Sequence, residues 1–193
     1  MTVAESLKSG FARMTDGTAE DWAIIEDATI EHVQGLPDRI MTHMKLLQHD
    51  FGGFAVDRLE HSVQTATRAA QDGRDDEYVV CALIHDIGDT LGPMNHDQIA
   101  AAILEPFVSE KNHWIVAHHG IFQGYYFFHH FGLDRDMRDR YKDHEYYGDC
   151  EEFCRKYDQN SFDTEFTSMP LDDFEPLVRR VFAEPRKSIY LAE

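Results

Sequence analysis

The stretch YVVCALI, residues 78–84, is apolar on every side and runs straight into His85 and Asp86. A helix with no polar face has to be enclosed by other elements. That one segment therefore calls for a shell of neighbours around it. The imidazole and carboxylate that follow make the opposite demand, because burying polar side chains without partners costs on the order of several kcal/mol. Compensation has to come from other side chains or from a bound cation. Gly88 is expected to terminate the helix just beyond them.

The flanking segments can supply the shell. TAEDWAIIEDATIEHV opens with Thr18 and Asp21, the spacing of a capping box, and predicts a helix from there. Pro37 suits the first turn of a second helix, PDRIMTHMKLLQHD, which FGG then breaks. In DRLEHSVQTATRAA, Leu59, Val63, Ala66 and Ala70 recur at helical spacing. His61 falls roughly 160° from Leu59 on such a helix. A surface helix would expose it, whereas a central helix packed through Ser62, Thr65 and Ala69 would bury it. Asn95 is placed to cap HDQIAAAIL, with His96, Ile99, Ala100 and Ile103 on one face, and SEKNHWIVAHHGIF aligns Ile115, His118 and Phe122. DCEEFCRKYD and LDDFEPLVRRVF read as the last helices, and strand patterns are nearly absent. The expected fold class is all-α, one helical domain over residues 1–193 with residues 1–17 as an N-terminal arm or lid.

The 193 residues carry 36 acids and 18 bases, a net charge of −18. Nucleic acid and anionic membrane are not expected as partners, since phosphate-rich surfaces want a basic face. The length permits a core without staples, and 42% hydrophobic residues with 12% aromatics is the composition of a globular chain. Cys81, Cys150 and Cys154 imply no disulfide framework. Cys150 and Cys154 could share a helix face, but without a second pair of zinc-site spacing they read as core thiols. No signal-like apolar run or transmembrane-length stretch is evident, so a cytoplasmic protein is expected.

Twelve histidines are dispersed along the chain. Those on, or at the ends of, the expected helices give a candidate ligand set of His61, His85 with Asp86, His96, His118 or His119, and Asp158. Imidazoles and carboxylates without thiolates suit iron, manganese or zinc. One carboxylate has two oxygens and can bridge two cations. A metal held by His85 and Asp86 would supply the compensation that the greasy segment requires.

LEHSVQTATRA, followed by LIHDIGD with its histidine 24 positions after His61, resembles the H…HD…D core of the HD-domain superfamily. NHDQIAAAIL and WIVAHHG match the two further histidines of its dinuclear branch, and CRKYDQN puts Asp158 in the last slot. The likeness runs over roughly Asp57 to Phe182. It is nearest to the mixed-valent diiron oxygenases, the myo-inositol oxygenase and 2-amino-1-hydroxyethylphosphonate dioxygenase type; KYD followed by MPLDDFEPLVRRVF is similar to the end of the former. The resemblance implies an HD-domain-like helical bundle with a metal centre in its core. It implies one iron held by His61, His85, Asp86 and Asp158, and a second held by Asp86, His96 and His118. His118 is chosen over His119 because Ile115 stands three residues before it, as in the relatives. The implied cofactor is an Fe(II)/Fe(III) pair, with manganese or magnesium as the alternative. The implied partners are O2 and a small hydroxyl-bearing substrate, and the implied reaction breaks a C–C or C–P bond.

The pocket departs from those relatives. Three residues after Asp86, where they carry a base, this chain has Asp89. Phe51 and Phe54 stand where the phosphonate enzymes have a tyrosine and a glutamate, and Phe122 or Gln123 where they have a lysine. The expected substrate pocket is Asp89, Trp114, Gln123, Tyr125 and Phe51, with Asp86 and Asp89 as catalytic carboxylates. Asp89 among Trp114, Tyr125, Tyr126 and Phe51 could receive a cation, aided by cation–π attraction. Otherwise it caps a turn or pairs with an arginine, and the aromatics simply pack. Lys156, Arg58 and Arg135 are the bases near the motifs. A second function is open on the same ligands, an HD phosphohydrolase whose two divalent metals polarise a phosphoryl oxygen of a nucleotide or small phosphoester and activate water. A regulatory domain that holds metal without turnover is the third.

Overall fold

The computed structural model describes residues 8–190, which are helical throughout apart from turns and loops. Helix α1 (Ala19–Gln34) begins on the expected capping box: the Thr18 hydroxyl accepts from the Asp21 N–H, and the Asp21 carboxylate accepts from the Thr18 N–H at 3.0 Å. α2 (Leu36–Met44) carries Pro37 in its first turn. Gly52 and Gly53, both at positive φ, then turn the chain back toward α3 (Arg58–Gln71). The remaining helices are α4 (Asp76–Ile84), α5 (His96–Leu104), α6 (Glu110–Phe127), α7 (Tyr147–Lys156) and α8 (Glu175–Val181).

α4 is the axis of the bundle. Val80, Ala82, Leu83 and Ile84 are wholly buried, with α3, α6 and α8 packed around them. Each of Val80, Leu83 and Ile84 contributes about 1.5–3 kcal/mol. α3 is also a central helix. Ser62, Thr65, Ala66 and Ala69 are wholly buried, and their small side chains let α4 close in. That close packing buries His61 although it points away from Leu59.

Two helix ends differ from expectation. α4 stops at Ile84, and Gly88 lies in a short 3-10 turn, Ile87–Thr90, rather than capping the helix. The glycine is required for another reason: a Cβ there would stand 2.8 Å from the His96 Cα, so only glycine lets the start of α5 approach. Asn95 occupies the N-cap position of α5, but its side chain makes no capping hydrogen bond. Of the N-terminal arm, residues 1–7 lie outside the described residues. Residues 8–17 hold one turn, Met14–Asp16, and are tied to α1 by the Gly10 N–H donating to Asp21 Oδ1 at 3.1 Å. All three cysteines are buried and free. Among the described residues no helix is long and apolar enough to cross a membrane.

Two polar clusters hold the helices in register. Arg74 Nε donates to the Tyr157 hydroxyl at 2.7 Å, its Nη2 reaches Glu152 at 2.6 Å, and Tyr157 donates to Asp72 at 2.6 Å. This ties the end of α7 to the turn between α3 and α4, one residue before Asp158. At the start of α4, Glu77 accepts from the Ser109 N–H at 2.7 Å and the Asn112 amide at 2.8 Å, and pairs with Arg186 at 2.7 Å. Burial alone would push the Glu77 carboxyl up, but the hydrogen bonds from Ser109 and Asn112, together with Arg186, outweigh it and hold the pKa below its ordinary 4.5. Glu77→Ala leaves two donors unpaired and is expected to cost about 1–3 kcal/mol at neutral pH. Because the folded pKa is the lower one, the carboxylate's contribution is present above pH 4.5 and is lost as the pH falls through the folded value. The gap between the urea midpoints of the two chains should therefore narrow in acid.

Candidate metal centre

Three helices and two helix exits converge on one point. His61 comes from the first turn of α3, His85 and Asp86 from the end of α4, His96 from the start of α5, His119 from α6, and Asp158 from just beyond α7. Each of the four histidines points its Nδ1 at a backbone carbonyl. His61 reaches Ser161 at 3.0 Å, His85 Ala82 at 2.8 Å, His96 Pro93 at 3.2 Å and His119 Val116 at 2.7 Å. A carbonyl only accepts, so each Nδ1 carries a proton, and each ring in its neutral form turns an Nε2 lone pair inward. Those lone pairs meet. His61 Nε2 lies 3.2 Å from His85 Nε2, and His96 Nε2 lies 3.2 Å from His119 Nε2. Such a convergence of acceptors is repulsive unless protons or cations stand between them.

Asp86 divides the cluster in two. Its Oδ2 lies 3.3 Å from His61 Nε2 and 3.4 Å from His85 Nε2, while its Oδ1 lies 3.3 Å from His96 Nε2 and 3.1 Å from His119 Nε2. Asp158 Oδ1 joins the first side, 3.3 Å from His61 and 3.9 Å from His85. Asp158 Oδ2 is buried and has no hydrogen-bond partner, an orphan that a cation would satisfy. His61, His85 and Asp86 can bring one donor atom each within 4.8 Å of one another, as can Asp86, His96 and His119, and His85, His119 and Asp158. Nitrogen and oxygen donors without sulfur fit iron, manganese or zinc. These residues could hold metal ions.

In the absence of a cation, protons take its place. Burial alone would lower the His61 pKa, but hydrogen bonds with Asp158 and Asp86 outweigh it and push it up to about 10. The same opposition, with Asp86 as the partner, takes His119 up to about 9. At His85 burial wins over the nearby carboxylates and holds the ring at about 4. Metal uptake displaces such protons.

The choice between His118 and His119 is reversed. Counting along α6, three residues from Ile115 miss its direction by roughly 60°, whereas four miss by only about 40°. Ile115, His119 and Phe122 therefore share the buried face. His118 turns outward, stacks on Trp114 at 4.1 Å and faces the Trp114 carbonyl with its Nδ1.

Trp114 and Tyr125 are also corrected as pocket residues. They sit on the flank of α6 turned roughly 140–160° from His119 and Gln123 respectively. Trp114 is sandwiched between His118 and His144, the latter at 4.2 Å, and Tyr125 lies under Arg135 and Arg138 at 4.1 and 3.9 Å. Phe51, Asp89 and Gln123 do line the cavity of about 220 Å³ that opens over the histidines. Gln123 donates to Asp158 Oδ1 at 3.0 Å. Asp89 does not stand free for a cation: its Oδ2 pairs with Arg58 Nη1, and its Oδ1 lies 3.4 Å from His96 Nδ1. Arg58 in turn reaches Asp50 at 3.2 Å. Lys156 is taken by Asp72 and Glu152 on the surface.

Sequence reasoning missed Phe162, which stacks on His61 at 4.4 Å, and Phe127 on the cavity wall. The position of Phe162 four residues after Asp158 is the one signal that could have found it; nothing local distinguishes Phe127 from its aromatic neighbours. The family described as HD domain matches residues 58–156, half of the chain, from the start of α3 to the end of α7. That span contains His61, His85, Asp86, His96 and His119. A search of the curated proteins found no match.

Proposed function

This chain belongs to the HD domain family, and we propose that within it the protein is a non-haem diiron oxygenase. It would use O2 to oxidise a small hydroxyl-bearing substrate, with cleavage of a C–C or C–P bond. The family also contains phosphohydrolases, and one observation favours the oxygenase over them. Arg58 is the basic guanidinium or ammonium group on the cavity wall, and it is held by Asp50 and Asp89. Among the described residues, a phosphoryl group entering this cavity would meet no unpaired guanidinium or ammonium.

In this reading Asp86 would be shared between two irons, His61, His85 and Asp158 would complete the first set, and His96 and His119 would complete the second. Bound iron supplies the O2 and electron-transfer chemistry that side chains lack. The second set has one donor fewer and includes the partly exposed His96, so it is the side that a substrate hydroxyl would approach. The four Nδ1–carbonyl bonds fix ring plane and tautomer. Asp89, held by Arg58, orients His96; Gln123 orients Asp158. Phe162 covers the face of His61 and keeps water from it.

Anaerobic purification with iron followed by partial oxidation is expected to yield the EPR signal of an antiferromagnetically coupled mixed-valent pair. Absence of that signal, together with phosphatase activity in manganese or magnesium, would replace the oxygenase by the phosphohydrolase.

A further inference from the structure

We infer that the non-reacting end of the substrate is uncharged and apolar, about the size of one six-membered ring. The inference rests on the oxygenase reading only in placing the reacting hydroxyl near His96 and His119. The charged groups on the wall away from the histidines are already hydrogen-bonded or ion-paired inside the protein. Asp57 accepts from the His49 N–H and the Glu60 N–H, each at 2.8 Å. Asp89 has Arg58 and His96, and Arg58 has Asp50. A charged end placed here would lose its hydration without gaining a partner.

Apart from Gln123, whose unpartnered Oε1 sits beside Asp158 on the histidine side, what remains is apolar: Val56, Pro93 and four phenylalanines. Phe162 stacks on His61 at 4.4 Å and on Phe54 at 4.6 Å, so one apolar wall runs from a histidine of the cluster to the rim. Phe51, Phe54 and Phe127 are 48%, 54% and 38% exposed, and a ligand lying against them would remove that surface from water. None of the four carries a hydroxyl, so none can read a polar substituent. Size sets the limit: a cavity of about 150 Å³ holds benzene, and this one, at about 220 Å³, has room for a ring and a short hydroxyl-bearing arm. Phenylalanine faces would also attract an onium group, but Asp89 is held by Arg58 and Asp57 by two backbone N–H groups, so neither carboxylate is free to close on it.

The test is calorimetric binding to the full chain as purified, kept anaerobic so that no turnover intrudes, with phenylglycol, choline and glycerol phosphate as probes. Phenylglycol is expected to bind at least tenfold more tightly than either charged probe. Phe54→Asp, a change at an exposed rim position that spares the core, is expected to weaken it at least tenfold with metal content unchanged. Tighter binding of choline or glycerol phosphate, no binding of any probe at millimolar concentration, or an indifferent Phe54→Asp would overturn the inference. The oxygenase reading fails separately, on the EPR signal, because probe preference does not depend on O2 chemistry.

Discussion

Replacing Asp86 with alanine is expected to strip both metal positions at once, leaving well under one ion per chain and no measurable turnover. The reason is geometric. Asp86 Oδ2 faces His61 and His85 while Oδ1 faces His96 and His119, all within 3.1–3.4 Å. Without the carboxylate, the second side keeps only its histidines, and the first keeps Asp158 as its one anion to offset the charge of a cation. Loss of even an outer partner of a metal ligand typically costs about 10–100-fold in affinity, so loss of a shared direct ligand should cost at least that on both sides. Asp158→Ala is the contrast, since Asp158 lies beside His61 and His85 and should empty the first position alone. Elemental analysis after desalting reads the content, and thermal unfolding followed by circular dichroism separates metal loss from unfolding. Two ions retained in Asp86→Ala would refute the bridging arrangement.

The second large effect separates two neighbours on α6. His119→Gln is expected to lower turnover at least a hundredfold and to halve the metal content, because the ring meets Asp86 Oδ1 at 3.1 Å and His96 Nε2 at 3.2 Å. Glutamine keeps much of the volume, so the change reads ligation rather than packing. His118→Gln should leave metal content unchanged and turnover within a few-fold, giving up the stack on Trp114, worth about 0.5–1.5 kcal/mol, and the hydrogen bond to the Trp114 carbonyl. The reverse result would restore the three-residue spacing from Ile115 as the guide to the ligand.

Much of this protein is local and therefore legible. The capping box at Thr18 and Asp21, Pro37 in the first turn of α2, and the unbroken apolar run of α4 each act through residues a few positions apart, and the all-helical class follows from them. The ordered set from His61 to Asp158 was legible in another way, through its resemblance to the HD-domain core, since its members lie far apart along the chain. The orientation of α6 was not. Its apolar residues are spread around the helix, so no stripe fixes which of two adjacent histidines faces inward.

By itself the sequence determined a shell of helices around residues 78–84 and an imidazole–carboxylate pair that must be compensated. Only the tertiary structure decided that His119 faces the pair, that Trp114 and Tyr125 face away, and that Asp89 is matched by Arg58, which lies 31 positions earlier in the chain. Periodicity specifies which residues share a face of one helix. The rotation of that helix about its axis, and the partner that a charge finds across a cavity, are set by the neighbours packed against it.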